Sequence, residues 1–253
     1  TVVKTATGLW RVAYNGENRP ISWTQGTNII SMTYDRMGRR ITKNDKCFVY
    51  NGFLQIADIL RSSAVSNLFV WDPTEPIATR PLMWIAMSDQ PKTFHYLFYF
   101  HDGNKNVSEL MSTESSLVAH YEYSPFGALT ISRCAFVLDN PWRFSSEYSD
   151  VDTATIYYNY RHYEPMTGRW MTRDPIGERG GTLLYLWCAN CVVDDTDYLG
   201  LALWDQVIAG ELRKIEAAIL AIESAMVCMK TVSDAFARRS SGKYGDKLNH
   251  CLS

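Results

Sequence analysis

The sequence predicts a mainly β fold of stacked hairpins forming a continuous or curled sheet, followed by a C-terminal amphipathic α-helix. Three observations predict it. Short units led by an aromatic residue recur along the first half of the chain, a tyrosine-rich stretch alternates at strand spacing, and an apolar heptad appears only near the C-terminus.

The units are "YNGENRPISW" at Tyr14, "YDRMGRRITK" at Tyr34, "YNGFLQIADI" at Tyr50, "FHDGNKNVSEL" at Phe100 and "YSPFGALTI" at Tyr123. Each reads as an aromatic or β-branched strand that runs into a turn whose Asn, Asp or Gly tolerates positive φ, with a second strand returning. A lone hairpin cannot bury its face, so a row of them must stack edge to edge or curl around an interior. Between the third and fourth units lies "WDPTEPIATRPLMW", whose three prolines predict loop rather than central strand.

In "TIYYNYRHYEP", strand geometry places Ile156, Tyr158, Tyr160 and His162 on one face and Tyr157, Asn159, Arg161 and Tyr163 on the other. Two amphipathic faces suit a wall occupied on both sides. A single packed face with solvent opposite is the alternative. Beyond Leu201, residues Ile208, Leu212, Ile215, Ile219, Ile222, Met226 and Met229 repeat at helical heptad spacing, with Asp205 placed as N-cap. The final "ARRSSGKYGDKLNHCLS" is basic, poor in apolar groups and expected to be loose.

Composition excludes several classes. With 253 residues, 46% hydrophobic and 21% charged, the chain has enough apolar material for a sizeable core. A formal net charge of -2 supplies no field that would draw the β region to nucleic acid. No stretch reaches the roughly 20 apolar residues of a transmembrane helix, and residues 1–15 carry no signal-peptide pattern. The chain therefore reads as the C-terminal piece of a longer protein. "CANC", Cys188 to Cys191, has zinc or redox spacing, but Cys228, His250 and Cys251 make a poor second ligand pair. Packed thiols are the favoured reading, and no metal or cofactor is expected.

The aromatic-led units, followed by "NPWRFSSEYSDVDTATIYYNYRHYEPMTGRWMTRDPIGERGGTLLYLWCANCVVDDTDYLGL", resemble bacterial Rhs (YD-repeat) proteins that end in an Rhs-associated core domain. The resemblance covers about the first 200 residues. It implies three regions: 1–140 as YD-repeat sheet, 141–201 as core domain, and 202–253 as a variable helical tail. It also implies that the sheet is part of a hollow shell. In toxin members, and in the related C component of insecticidal Tc complexes, that shell encloses a C-terminal toxin freed by aspartyl-type self-cleavage. Matched motif by motif, the resemblance puts the catalytic aspartates at Asp174 of "RDPIG" and Asp197 of "DYLGL", with Arg173 as basic neighbour and the cut between Leu201 and Ala202. Tyr198 departs from the pattern, standing where the second motif usually has proline.

Paired carboxylates suit that chemistry. Two acids within hydrogen-bond reach share a proton, so one takes a proton from water while the other donates to the scissile carbonyl. A bond in the same chain starts at high effective molarity, and one turnover suffices. Read without the resemblance, Asp174 is a turn acid before Pro175, and Arg173 a surface ion pair of little worth. Asp194 and Asp195 add negative charge near Asp197 or simply solvate the loop.

The tail is too short, and too poor in histidine and paired acids, to read as an enzyme. The partners implied are the chain's own C-terminal passenger and, for the parent, an immunity or secretion-system protein, with the parent secreted or at the cell surface. The alternative is a non-catalytic surface YD-repeat protein whose aromatic walls bind carbohydrate or partner cells.

Overall fold

Each of the five aromatic-led units becomes the tip of a β-hairpin, and an Asn or Asp one or two residues after the leading aromatic explains three of them. In a computed structural model, Asn15 Oδ1 accepts the backbone N–H groups of Glu17 and Arg19 at 3.0 and 2.9 Å. Asp35 does the same for Met37 and Arg39, and Asp102 for Asn104 and Asn106. The fourth residue of each turn, Asn18, Gly38 or Lys105, then takes positive φ at 59°, 85° and 62°. Gly16 and Gly103, the glycines that stand out in the sequence, are not the left-handed residues. The Asx acceptor sets these turns.

The structure describes residues 1–201 except 63, 75–79, 90–91, 181, 191–196 and 198. They belong to one unit, Thr1–Ala202. The expected heptad helix over 208–229, Ala202, Cys191, Asp194, Asp195 and Tyr198 lie outside the described residues.

Thirteen strands form one antiparallel sheet in sequence order: β1 (Val2–Thr5), β2 (Gly8–Tyr14), β3 (Pro20–Gln25), β4 (Asn28–Tyr34), β5 (Arg40–Lys43), β6 (Lys46–Asn51), β7 (Leu54–Leu60), β8 (Val65–Trp71), β9 (Pro81–Asp89), β10 (Lys92–His101), β11 (Val107–Ser112), β12 (Leu117–Tyr123) and β13 (Leu129–Arg133). The sheet is open, with β1 and β13 at its edges. The mainly β fold is as the sequence predicts. The proline-rich insertion differs in part from its predicted loop, because Pro81 opens β9 as its first residue, a position where the missing N–H costs no ladder bond.

The register shifts by one residue beside Tyr14, Tyr34, Tyr50, Phe100 and Tyr123, so every unit carries a bulge at its aromatic. Bulges bend a strand and increase its twist, so the strip curves where the units recur. One face holds the core. Trp10, Trp23, Ile30, Phe48, Phe69, Trp84, Leu97 and Leu110 are buried, while the alternate residues Phe94, Tyr96, Phe98 and Phe100 of β10 are 40 to 46% exposed.

A second, four-stranded sheet covers the inner face: β14 (Tyr148–Asp150), β15 (Thr155–Tyr158), β16 (Arg161–Glu164) and β17 (Arg169–Trp170). The tyrosine-rich stretch predicted as one strand is therefore a hairpin, turning at Asn159, whose φ is 39°. Pairing of Tyr158 with Arg161 and Tyr157 with His162 resets the faces. Both faces are buried, as the two-sided reading expects. Tyr157 and His162 meet the strip, with the His162 ring 6.0 Å from Trp23. Tyr158 and Tyr163 pack on Trp170 at 5.1 and 5.5 Å between ring centres.

Candidate active site

Arg161 is the centre of the site. It sits on β16 opposite Tyr158, its side chain 1% exposed and its guanidinium carbon 4.0 Å from the centre of the Trp170 ring. Its Nη2 lies 3.0 Å from Asp174 Oδ2 and 3.2 Å from Asp197 Oδ2. Its Nε donates to the Gly200 carbonyl, and Nη1 donates to that of Leu184 at 3.4 Å. Every nitrogen of the fork is engaged, and a planar guanidinium is the side chain suited to such a junction.

Asp174 and Asp197, 23 positions apart, thus meet on one nitrogen. Asp174 divides its oxygens. Oδ1 accepts the Ile176 N–H at 2.9 Å, the turn role expected of an acid before proline, while Oδ2 faces Arg161. At 3% side-chain exposure it is no surface ion pair. Arg173 is exposed, so the guanidinium that joins the two acids is that of Arg161 rather than the sequence neighbour. An arginine within a run of buried tyrosines gives no signal by spacing, and this one becomes visible only once the chain turns at Asn159.

Asp197 is tied to the segment that follows it. Its Oδ1 accepts the Leu201 N–H at 2.8 Å, and the Leu199 carbonyl accepts the Tyr160 N–H at 3.1 Å. Gly200 has φ +76°, and a Cβ there would stand 2.9 Å from the Tyr158 carbonyl oxygen. Only glycine fits that approach. Burial pushes the Asp197 carboxyl above its ordinary range, Arg161 opposes, and the Asp174 charge adds to the rise.

A third acid, Glu147, is also buried and escaped the sequence reading. Burial drives its carboxyl well above the usual range, and the negative charge of Asp197 adds to that. It lines a small cavity of about 20 Å³ with Gln55, Tyr148, Tyr157 and Asn159. On the other side, an open cleft of about 590 Å³ runs between the Gly16–Arg19 turn and the 172–177 loop, with Asp174 and Tyr160 in its lining. Asp174 thus borders this cleft with its side chain nearly buried. Among the described residues no group of three His, Cys, Asp or Glu side chains is arranged to hold a metal. Cys188 is buried, and its motif partner Cys191 lies outside the described residues.

No protein-family model matches the chain. Known proteins do. The chain is 29% identical over 212 residues to double-stranded DNA deaminase toxin A of Burkholderia cenocepacia (strain H111), a match covering 72% of this chain and 15% of the relative. It is 30% identical over 89 residues to toxin subunit YenC2 of Yersinia entomophaga, covering 34% of this chain and 9% of that one. Among solved structures, the Photorhabdus luminescens Tc holotoxin pore with a TccC3 mutation aligns with a TM-score of 0.61 and 18% identity over 78% of this chain and 10% of that chain. The chain is an Rhs- and Tc-toxin-related protein. The crystal structure of TcdB2-TccC3-TEV gives the same TM-score of 0.61 at 21% identity. At that identity the likeness shows the fold alone. The chain spans 15% or less of the length of these larger relatives. Among the described residues, no helix is long and apolar enough to cross a membrane.

Proposed function

We propose that this Rhs-related chain is the self-processing end of a toxin-delivery shell, cutting its own backbone once between Leu201 and Ala202. In this reading residues 1–140 are the repeat strip, 141–201 the core domain and 202–253 the released passenger. The parent protein is secreted or carried on the surface of a bacterial cell. The relatives named as toxins support the setting, and one observation carries the chemistry: both carboxylates, remote in sequence, rest on the same Arg161 nitrogen.

The roles follow from placement. Asp174 borders the open cleft and, ionised against Arg161, takes a proton from a water entering there. Asp197, biased toward its protonated form and bonded to the Leu201 amide, donates to the Leu201 carbonyl oxygen as the water oxygen adds to the carbonyl carbon. The tetrahedral intermediate then collapses. Its hydroxyl proton returns to Asp197, the carbon–nitrogen bond to Ala202 breaks, and the proton held by Asp174 passes to the departing amine. Arg161 positions both acids and balances their charge, and the docked carbonyls of Leu199 and Gly200 support bringing Leu201 to them.

Mass measurement of freshly synthesised chain tests this. The expected products are fragments 1–201 and 202–253, with Asp174→Asn and Asp197→Asn each leaving a single 28.9 kDa species. A wild-type chain that stays whole under the same conditions overturns the reading.

A further inference from the structure

Between β5 and β14 lies a second buried charge cluster that the proposed chemistry does not touch. Arg40 on β5 is fully buried, with Nη1 3.1 Å from Asp150 Oδ2 on β14. Lys43 Nζ lies 2.7 Å from Asp150 Oδ1 and 2.6 Å from Asp152 Oδ2. The Arg40 guanidinium carbon stands 4.5 Å from the ring centres of both Tyr148 and Tyr157, and 5.0 Å from that of Phe48. The Arg40 backbone N–H donates to the Tyr157 hydroxyl at 2.7 Å.

As a stabilising device this cluster is poor. Arg40 Nε and Nη2 are buried without a hydrogen-bond partner, and a buried ion pair is often no better than an apolar pair of the same volume. Its geometry suits a different task. Arg40 and Asp150 lie 110 positions apart, so the contact forms only when the strip has folded against the covering sheet. Tyr157, gripped by Arg40, is followed on β15 by Tyr158, which pairs with Arg161. The cluster therefore packs on one face of the β15–β16 hairpin, and the guanidinium that joins Asp174 and Asp197 stands on the other.

We propose that Arg40, through Asp150 and Tyr157, is a positioning residue for the acid pair, so that cleavage waits until the strip has closed on the covering sheet. The proposal rests on the self-cleavage reading. It makes folding of the wall a precondition for cutting: a partly wound chain lacks Arg40 at its post, and its passenger stays attached. An active-site misplacement of about 1 Å costs on the order of a hundredfold in rate, so a small shift of β15 suffices.

The test follows cleavage of the full 253-residue chain made by cell-free synthesis, reading only molecules that elute as folded monomer. Arg40→Met keeps the volume and removes the charge, while Arg40→Lys keeps the charge. The expected result is cleavage slower by about tenfold or more in Arg40→Met, with recovery toward the wild-type rate in Arg40→Lys. A purely structural Arg40 predicts the reverse order, since Met satisfies packing better than a shortened cation. Equal rates in the folded Arg40→Met and wild-type chains overturn the proposal. Should Arg40→Met yield no folded monomer, Lys43→Met serves, because its ammonium lies at the rim of the same cluster.

A second measurement stands apart from cleavage. In Arg40→Met carrying Asp174→Asn, backbone amides of 155–163 and 197–201 should lose hydrogen-exchange protection together, while those of 8–25 keep theirs. Unchanged protection at 197–201 overturns the coupling. If the wild-type chain never cuts but this joint loss is seen, the self-cleavage reading fails and the link from Arg40 to the acid pair stands.

Discussion

At the residue scale, the centre of the molecule gathers more acid than base. Asp174 and Asp197 share one guanidinium, that of Arg161, while the buried Glu147 feels Asp197 as a like charge that Lys105 only partly offsets. A carboxyl whose folded pKa is raised favours folding fully only below its unfolded value. Stability is then lost as pH rises from there toward the folded pKa. Glu147→Gln removes that loss. Chemical denaturation of the cleavage-dead Asp174→Asn background should therefore show Glu147→Gln more stable by roughly 1–3 kcal/mol at pH 8, with the gain shrinking toward pH 4. A constant difference across that range would mean that Glu147 is ionised in the folded chain.

At the element scale, the turn at 197–201 is fitted to the β15–β16 hairpin through Gly200, whose left-handed φ and close approach to the Tyr158 carbonyl leave no room for a side chain. Gly200→Ala should cost about 2–3 kcal/mol and slow cleavage together, as read by denaturation and mass measurement. The hairpin tips were legible in the sequence because an Asx residue after an aromatic imposes its turn locally, as Asn15, Asp35 and Asp102 do. Strands β8 and β9 carry no such unit, and only the sheet's need for continuity places them. "TIYYNYRHYEP" was legible as strand but not as hairpin, since two buried faces erase the polar alternation that marks a bend. The positions of Asp174 and Asp197 came from motif resemblance. Arg161 and Glu147 did not, because their roles depend on contacts between residues 13 to 50 positions apart.

At the scale of the whole molecule, the covering sheet is joined to the strip by groups that resist acid poorly. Burial, reinforced by Arg40, lowers the His162 pKa to about 3. Burial alone would raise Asp150, but Lys43 and Arg40 outweigh it and hold its carboxyl below the ordinary range. Both folded values are depressed. Their contribution is therefore present above the unfolded values and is lost as pH falls, from near 6.5 for His162 and later for Asp150. In the Glu147→Gln background, which removes the opposing slope, stability should decline from pH 7 to pH 4, and His162→Gln should remove about 2 kcal/mol of that decline. Equal slopes in the two chains would place the acid sensitivity elsewhere.

The divided carboxylate of Asp174 has a practical corollary. An amide at that position keeps the oxygen that caps Ile176 and forfeits only the half that faces the cation. Under the proposed self-cleavage, Asp174→Asn is therefore expected to behave as a conformationally faithful precursor with residues 202–253 still joined. Immobilised as bait, it would capture proteins that recognise the unprocessed particle and ignore the spent one.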